Sequence, residues 1–332
     1  MTATEHLEQS APSRAVARDR IPVIDLAPLF SGTGRVGSLT ARIREASLET
    51  GFFYVKNTCV DDSVIINALD AMKAFFDSPD EGHNKQSVHN ELAGGMKGWG
   101  PMFGEPAYQQ GTVAHMESFD FGQQLSESEY KALGIEPNIW PDIPGFRQAM
   151  LDYYKDVTRL GRALGVIFSE ILGEAPDFIN SRSGPSAPRT MRMLHYPAND
   201  TPADSRNVGI SAHTDFECFT ILYQTAPGLE LTDATGQWCQ APCDLGTFTI
   251  MLGDMTERFC NGYLKATGHR VANSPWTRYS MVLFFAVNGD CCVQPLPRFV
   301  SSERPAAYQP VTQDEHIEYE LQRASSNRAE AD

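Results

Sequence analysis

"SAHTDFECFTILYQ" spans residues 211–224 and sets His213 two residues before Asp215, at the mouth of a run rich in aromatic and β-branched side chains. Such a run reads as a strand. Side chains alternate faces along a strand, so His213 and Asp215 project to one side while Thr214 points away. One strand can thus offer two adjacent metal ligands. The His-x-acid pattern alone decides little, because His6-x-Glu8, His89-x-Glu91, His115-x-Glu117 and His316-x-Glu318 share it. What sets His213 apart lies downstream. "KATGHRV" supplies His269 between two β-rich runs, and "RYSMVLFF" follows with Arg278 and Ser280 on a common strand face. A guanidinium with a hydroxyl beside it is a carboxylate grip, since Arg binds carboxylate bidentately and keeps its charge.

Two histidines and one carboxylate cover one face of an octahedron and leave three positions open, the ligand set of non-haem Fe(II) sites. A structural zinc would be closed by four ligands, usually with Cys. Cys218 lies three past Asp215, on the opposite face. Catalytic zinc with three ligands and an open position also suits the pattern, so the residues alone leave the metal undecided.

The surrounding sequence sets the architecture. From about residue 188, the runs "TMRMLHYP", "CFTILYQ", "LELT", "TFTIML" and "YSMVLFFAV" alternate with Gly, Pro, Asn and Asp, as in an antiparallel sandwich or barrel. Before them, "FRQAMLDYYKDVTRLGRALGVIFSEIL" (146–172) repeats apolar residues at helical spacing from Phe146 to Ile171. Two shorter helices, "SLTARIREASLETG" and "DSVIINALDAMKAFFDSP", flank the strand-like "GFFYV", with Asp62 as expected N-cap. The reading is an α+β chain: a disordered leader (1–20), an N-terminal region with a Gly-rich flap at 94–106 (21–125), a long helix with the β core (126–310), and a C-terminal helix and tail (311–332).

Composition narrows the function. The 332 residues carry a formal net charge of −15, which disfavours nucleic acid and anionic lipid. No apolar run is long enough to span a membrane, and the leader has no apolar signal core. Seven cysteines, an odd number, do not form a disulfide framework. The expectation is a soluble, cytoplasmic monomer acting on a small molecule.

His213-x-Asp215, His269 and Arg278-x-Ser280 resemble the isopenicillin N synthase-like family of 2-oxoglutarate- and Fe(II)-dependent oxygenases. "IPVIDL", "GFFYV", "MESFDFG", "HYP", "PGLEL" and "GDMTERFCNGYLKATGHRV" resemble further signatures in the family's order, over roughly residues 21–310. The resemblance implies a double-stranded β-helix, or jelly roll. It also implies Fe(II) on His213, Asp215 and His269, with 2-oxoglutarate and O2 as cosubstrates. Arg278 and Ser280 would hold the far carboxylate of 2-oxoglutarate, with Tyr196 of "HYP" helping. The implied activity is oxidation of an unactivated C–H bond of a small metabolite, by hydroxylation, desaturation or ring closure, in specialised metabolism. Lys97, Tyr108, Arg192, Met193 and Phe285 are the expected substrate contacts, and the two cations suggest a carboxylated, amino-acid-derived compound. Two other readings stay open: an oxidase without 2-oxoglutarate, as isopenicillin N synthase is, and a non-redox metal-binding barrel or zinc hydrolase. Asn57-Thr58 stands where many relatives carry Asn-His, and Leu194 where plant members often carry Asn, so substrate identity does not transfer.

Overall fold

Period-two hydrophobicity in the C-terminal half becomes two sheets packed face to face. The computed structural model describes residue 4 and residues 7–16, 20–31, 36–199 and 206–329. In chain order the strands of the two sheets are β1 (Arg14–Ala15), β2 (Val23–Asp25), β3 (Phe52–Lys56), β4 (Gly98–Gly100), β5 (Glu117–Phe121), β6 (Met191–Tyr196) and β7 (Ile210–His213). They continue with β8 (Phe219–Gln224), β9 (Leu229–Thr232), β10 (Trp238–Gln240), β11 (Phe248–Leu252), β12 (His269–Val271) and β13 (Arg278–Phe285). The larger sheet runs β2-β3-β11-β8-β13-β6-β5-β4 and the smaller β1-β10-β9-β12-β7. All neighbours are antiparallel except β1 with β10 and β2 with β3.

Each strand of the larger sheet serves two cores. Leu194, Tyr196, Leu222, Met251 and Val282 face inward and meet Ile210, Leu229, Leu231 and Val271 of the smaller sheet. The intervening residues, among them Met193, Phe219, Ile221, Leu283 and Phe285, point outward into a second core with Leu160, Leu164 and Phe168 of the long helix Phe146–Leu172. That helix lies so close that a Cβ on Gly161 would sit 2.4 Å from the Phe285 ring. Only glycine fits there. The result is the expected α+β fold with a jelly-roll core.

Several local expectations change. The N-terminal region adds β2 to β5 to the larger sheet. Leu7–Val16 of the supposed disordered leader is docked on the smaller sheet: β1 pairs with β10, Trp238 Nε1 donates to Glu8 O at 3.1 Å, and Arg270 donates to the carbonyls of Glu8, Gln9 and Ala11. The rest of that stretch, apart from Thr4 and Arg20, lies outside the described residues, as does His6. Asp61, not Asp62, is the N-cap of helix Asp62–Phe76, and its side chain makes no capping bond. Within the flap, Gly98–Gly100 is an edge strand and Trp99 is buried, donating to Glu117 Oε2 at 2.7 Å. The seven thiols are free, and no helix among the described residues is long and apolar enough to cross a membrane.

Candidate active site

Strands β7 and β12 are antiparallel neighbours, and His213 faces His269 directly in their register. Their ring centroids are 4.1 Å apart. Asp215 lies two residues past His213, just beyond the strand rather than within it, yet the chain keeps its carboxylate on the same side. Asp215 Oδ1 is 3.9 Å from His213 Nε2 and 3.5 Å from His269 Nε2. All three residues are buried.

The outer contacts aim these side chains. His213 Nδ1 donates to Ser211 O at 2.8 Å and His269 Nδ1 to Thr267 O at 3.1 Å. A carbonyl can only accept, so each ring keeps a proton on Nδ1 and turns Nε2 inward, the nitrogen that metal ligation uses. Burial, then the neighbouring His269, pulls His213 well below the ordinary histidine pKa, which favours the neutral, ligating form. Thr220 Oγ1 donates to Asp215 Oδ2 and leaves Oδ1 for the centre.

Across the same cavity stands Arg278, paired in register with Tyr196 and 1% exposed. Its Nη2 donates to Gln224 Oε1 at 3.0 Å and its Nε to Ala226 O at 3.3 Å. No carboxylate among the described residues reaches it, and Nη1 has no partner. Ser280 Oγ, on the same strand face, is likewise buried without a partner. Burial pulls the guanidinium below its ordinary pKa, against the opposing effect of the neighbouring Tyr196 hydroxyl. A buried cation with a spare donor and an unused hydroxyl beside it forms a cradle for an anion, because leaving such groups unpaired costs several kcal/mol. The residues therefore fit both absent groups: three convergent donors for a divalent metal, and a cationic fork for a carboxylate.

The cavity holding both halves measures about 250 Å³. Tyr196, Tyr108 and Arg192 line it. Tyr108 stacks on the His213 ring at 4.3 Å. Met193 and Phe285 do not line it; both point into the helix-side core, three residues from Tyr196 and seven from Arg278. An odd separation along a strand reverses the face, so the sequence itself held the correction. Lys97 also lies elsewhere: its Nζ donates to Glu136 O over the Tyr130 ring, and burial pulls its pKa down to about 8.

Arg192, expected to grip a substrate carboxylate, already has partners. Its Nε and Nη2 take Asp120 in a fork at 2.9 Å each, and Nη1 reaches Glu105 Oε1 at 2.7 Å. Glu105, Asp120 and Glu217 all line the cavity and were missed from sequence. Glu217 continues the alternation His213, Asp215, Glu217, a signal that was there to read. Burial, then the carboxylates of Asp215 and Asp254, pushes Glu217 well above the usual carboxylate range. Ile317 and Leu321 of the C-terminal helix close one wall. His316, one of the His-x-Glu look-alikes, is spent elsewhere, on Asp254 at 2.7 Å.

Comparison with known proteins agrees with this geometry. Residues 21–143 match the family model of the non-haem dioxygenase in morphine synthesis N-terminal region, and residues 188–287 that of the 2OG-Fe(II) oxygenase superfamily. The 2-oxoglutarate-Fe(II) type oxidoreductase hxnY of Emericella nidulans is 30% identical over 324 residues, covering 93% of this chain and 91% of that protein. Homoarginine-6-hydroxylase 2-ODD-C23 of Glycine max is 28% identical over 295 residues, covering 83% and 88%. A Caulobacter crescentus crystal structure from the 2OG-Fe(II) oxygenase family superposes with TM-score 0.79 at 27% identity, covering 92% of this chain and 99% of that one. Non-haem iron, 2-oxoglutarate and O2 are the reagents of this enzyme class, and the chain belongs to the 2OG-Fe(II) oxygenase superfamily.

Proposed function

We propose that His213, Asp215 and His269 hold the Fe(II), and that Arg278, Ser280 and Tyr196 hold the far carboxylate of 2-oxoglutarate, while a small metabolite is oxidised at an unactivated C–H bond. One observation carries this reading: Arg278 is buried in the metal-site cavity without a counter-ion, its Nη1 unpartnered beside an equally unpartnered Ser280 Oγ. The cradle matches the free carboxylate of a dicarboxylate cosubstrate, one end of which is left for the metal. When bound, Fe(II) with O2 and 2-oxoglutarate supplies the oxidising power, and the cosubstrate leaves as succinate and CO2.

The protein's own part is placement. Ser211 and Thr267 carbonyls orient the two imidazoles, Thr220 orients Asp215, and Arg278 fixes one end of the cosubstrate so that its other end meets the metal. Tyr108, stacked on His213, shields that ligand from water. Anaerobic addition of Fe(II) and 2-oxoglutarate should give a weak visible charge-transfer band, and turnover should release about one succinate per product. A colourless sample, or product without succinate, rejects the reading.

A further inference from the structure

We infer that the part of the cavity outside the iron and cosubstrate cradle is a cation subsite, so that the substrate enters with an ammonium, amidinium or guanidinium group. The inference rests on the iron and 2-oxoglutarate placement proposed above. With that placement, the charges of the ferrous ion and Arg278 balance those of Asp215 and the dianionic cosubstrate. The remaining lining groups do not balance.

Three carboxylates, Glu105, Asp120 and Glu217, stand against one guanidinium, Arg192; among the described residues no other Lys or Arg lines the cavity besides Arg278. Asp120 and Arg192 neutralise each other through their two 2.9 Å bonds. That leaves Glu105 and Glu217. Glu105 Oε1 accepts from Arg192 and, at 2.8 Å, from Tyr108 Oη, whereas its second oxygen has no partner among the described residues. Glu217 is 7% exposed and lines the cavity, yet among the described residues no other side chain donates to its carboxyl group; only its own backbone amide turns toward it. Carboxyl oxygens left without a protein donor face the cavity at both residues, and a cationic ligand can satisfy them with charge-assisted hydrogen bonds. An anionic substrate would add a like charge to an already acidic wall. Tyr108 and Phe216 border the same space and add aromatic surface beside it. Met116, Leu194 and Ile317 supply apolar surface for the rest of the molecule.

Three isosteric probes separate charge from shape: benzamidine, benzamide and benzoate. Each is titrated into the full chain, loaded anaerobically with Fe(II) and saturating 2-oxoglutarate so that no turnover occurs and Arg278 is already engaged. Benzamidine should bind at least tenfold more tightly than either of the others. Glu105→Gln and Glu217→Gln, both close in shape to the parent side chain, should each reduce that preference severalfold while the charge-transfer band is kept. Benzoate or benzamide binding as well as benzamidine overturns the inference, and so does a preference that survives both substitutions. Loss of the band in the unmodified protein would instead reject the iron and cosubstrate placement, so the two failures are distinguishable.

Discussion

In the proposed cradle, Arg278 and Ser280 would share one job with unequal energies. Removing the guanidinium takes away a buried charge-assisted pair with the cosubstrate, whereas removing the hydroxyl deletes one neutral hydrogen bond. Arg278→Leu should weaken 2-oxoglutarate by about 2 to 4 kcal/mol, and Ser280→Ala by about 1 kcal/mol. Titrating the charge-transfer band with 2-oxoglutarate measures both; equal losses would mean that the guanidinium is not the dominant anchor of the carboxylate. His213→Ala and His269→Ala should abolish the band outright, since each removes one of three anchors; a band of normal intensity in either variant would dismiss it as a ligand. The shared face of Arg278 and Ser280 was legible in sequence because strand alternation is rigid, whereas Asp215 keeps the side of His213 from just past the strand end. Glu105 and Asp120 were not legible, since their role depends on which distant strand carries Arg192, and β5 meets β6 across about seventy residues of chain. The cation Lys97 misled for a related reason. A positive charge in a sequence carries no sign of whether its counter-ion is a neighbour or a ligand.

The C-terminal helix Gln313–Ala329 shows where an element's role hides from composition. Its acid-rich sequence reads as a solvated tail, yet Ile317 and Leu321 wall the cavity. Polar contacts hold it: Gln313 donates to Phe216 O at 2.9 Å, Asn327 to Ala107 O at 3.0 Å, and His316 meets Asp254 Oδ2 at 2.7 Å. The leader docks in the same way, through backbone carbonyls that no side-chain pattern reveals. His316→Ala would leave the Asp254 carboxylate buried with neither oxygen paired by a side chain, because Oδ1 already lacks a partner. The expected cost is about 3 kcal/mol. It should appear as faster amide exchange over 313–329 with the long helix Phe146–Leu172 unchanged, since docking and global folding are separable events. Unchanged exchange would mean that the apolar contacts alone hold the helix.

For the whole molecule, the carboxylates split into two groups with opposite pH signs. Glu117 sits at the centre of a buried network, with Lys85 Nζ at 2.9 Å, Trp99 Nε1 at 2.7 Å and His195 Nδ1 at 2.8 Å. Burial pushes its pKa up, but the bonds from His195, Lys85 and Trp99 outweigh that and hold it below the ordinary 4.5. A depressed folded pKa means that the unfolded chain binds the proton more readily. The stabilisation is therefore complete above about 4.5 and lost as pH falls through the folded value. Asp120 is raised, by burial first, so its contribution has the opposite sign: it favours folding where the group is protonated and fades as pH rises through the folded value. Acid unfolding should then follow Glu117 rather than the cavity acids. Glu117→Gln strips Lys85 of its buried counter-ion and should cost about 3 kcal/mol near pH 7; Asp80, half exposed at 2.7 Å, compensates only in part. Because the variant has no carboxylate to protonate there, its deficit relative to the parent should shrink steadily from pH 5 to pH 3. Urea unfolding across that range reads the difference directly, and a deficit that stays constant would place the acid sensitivity of this fold in some other group.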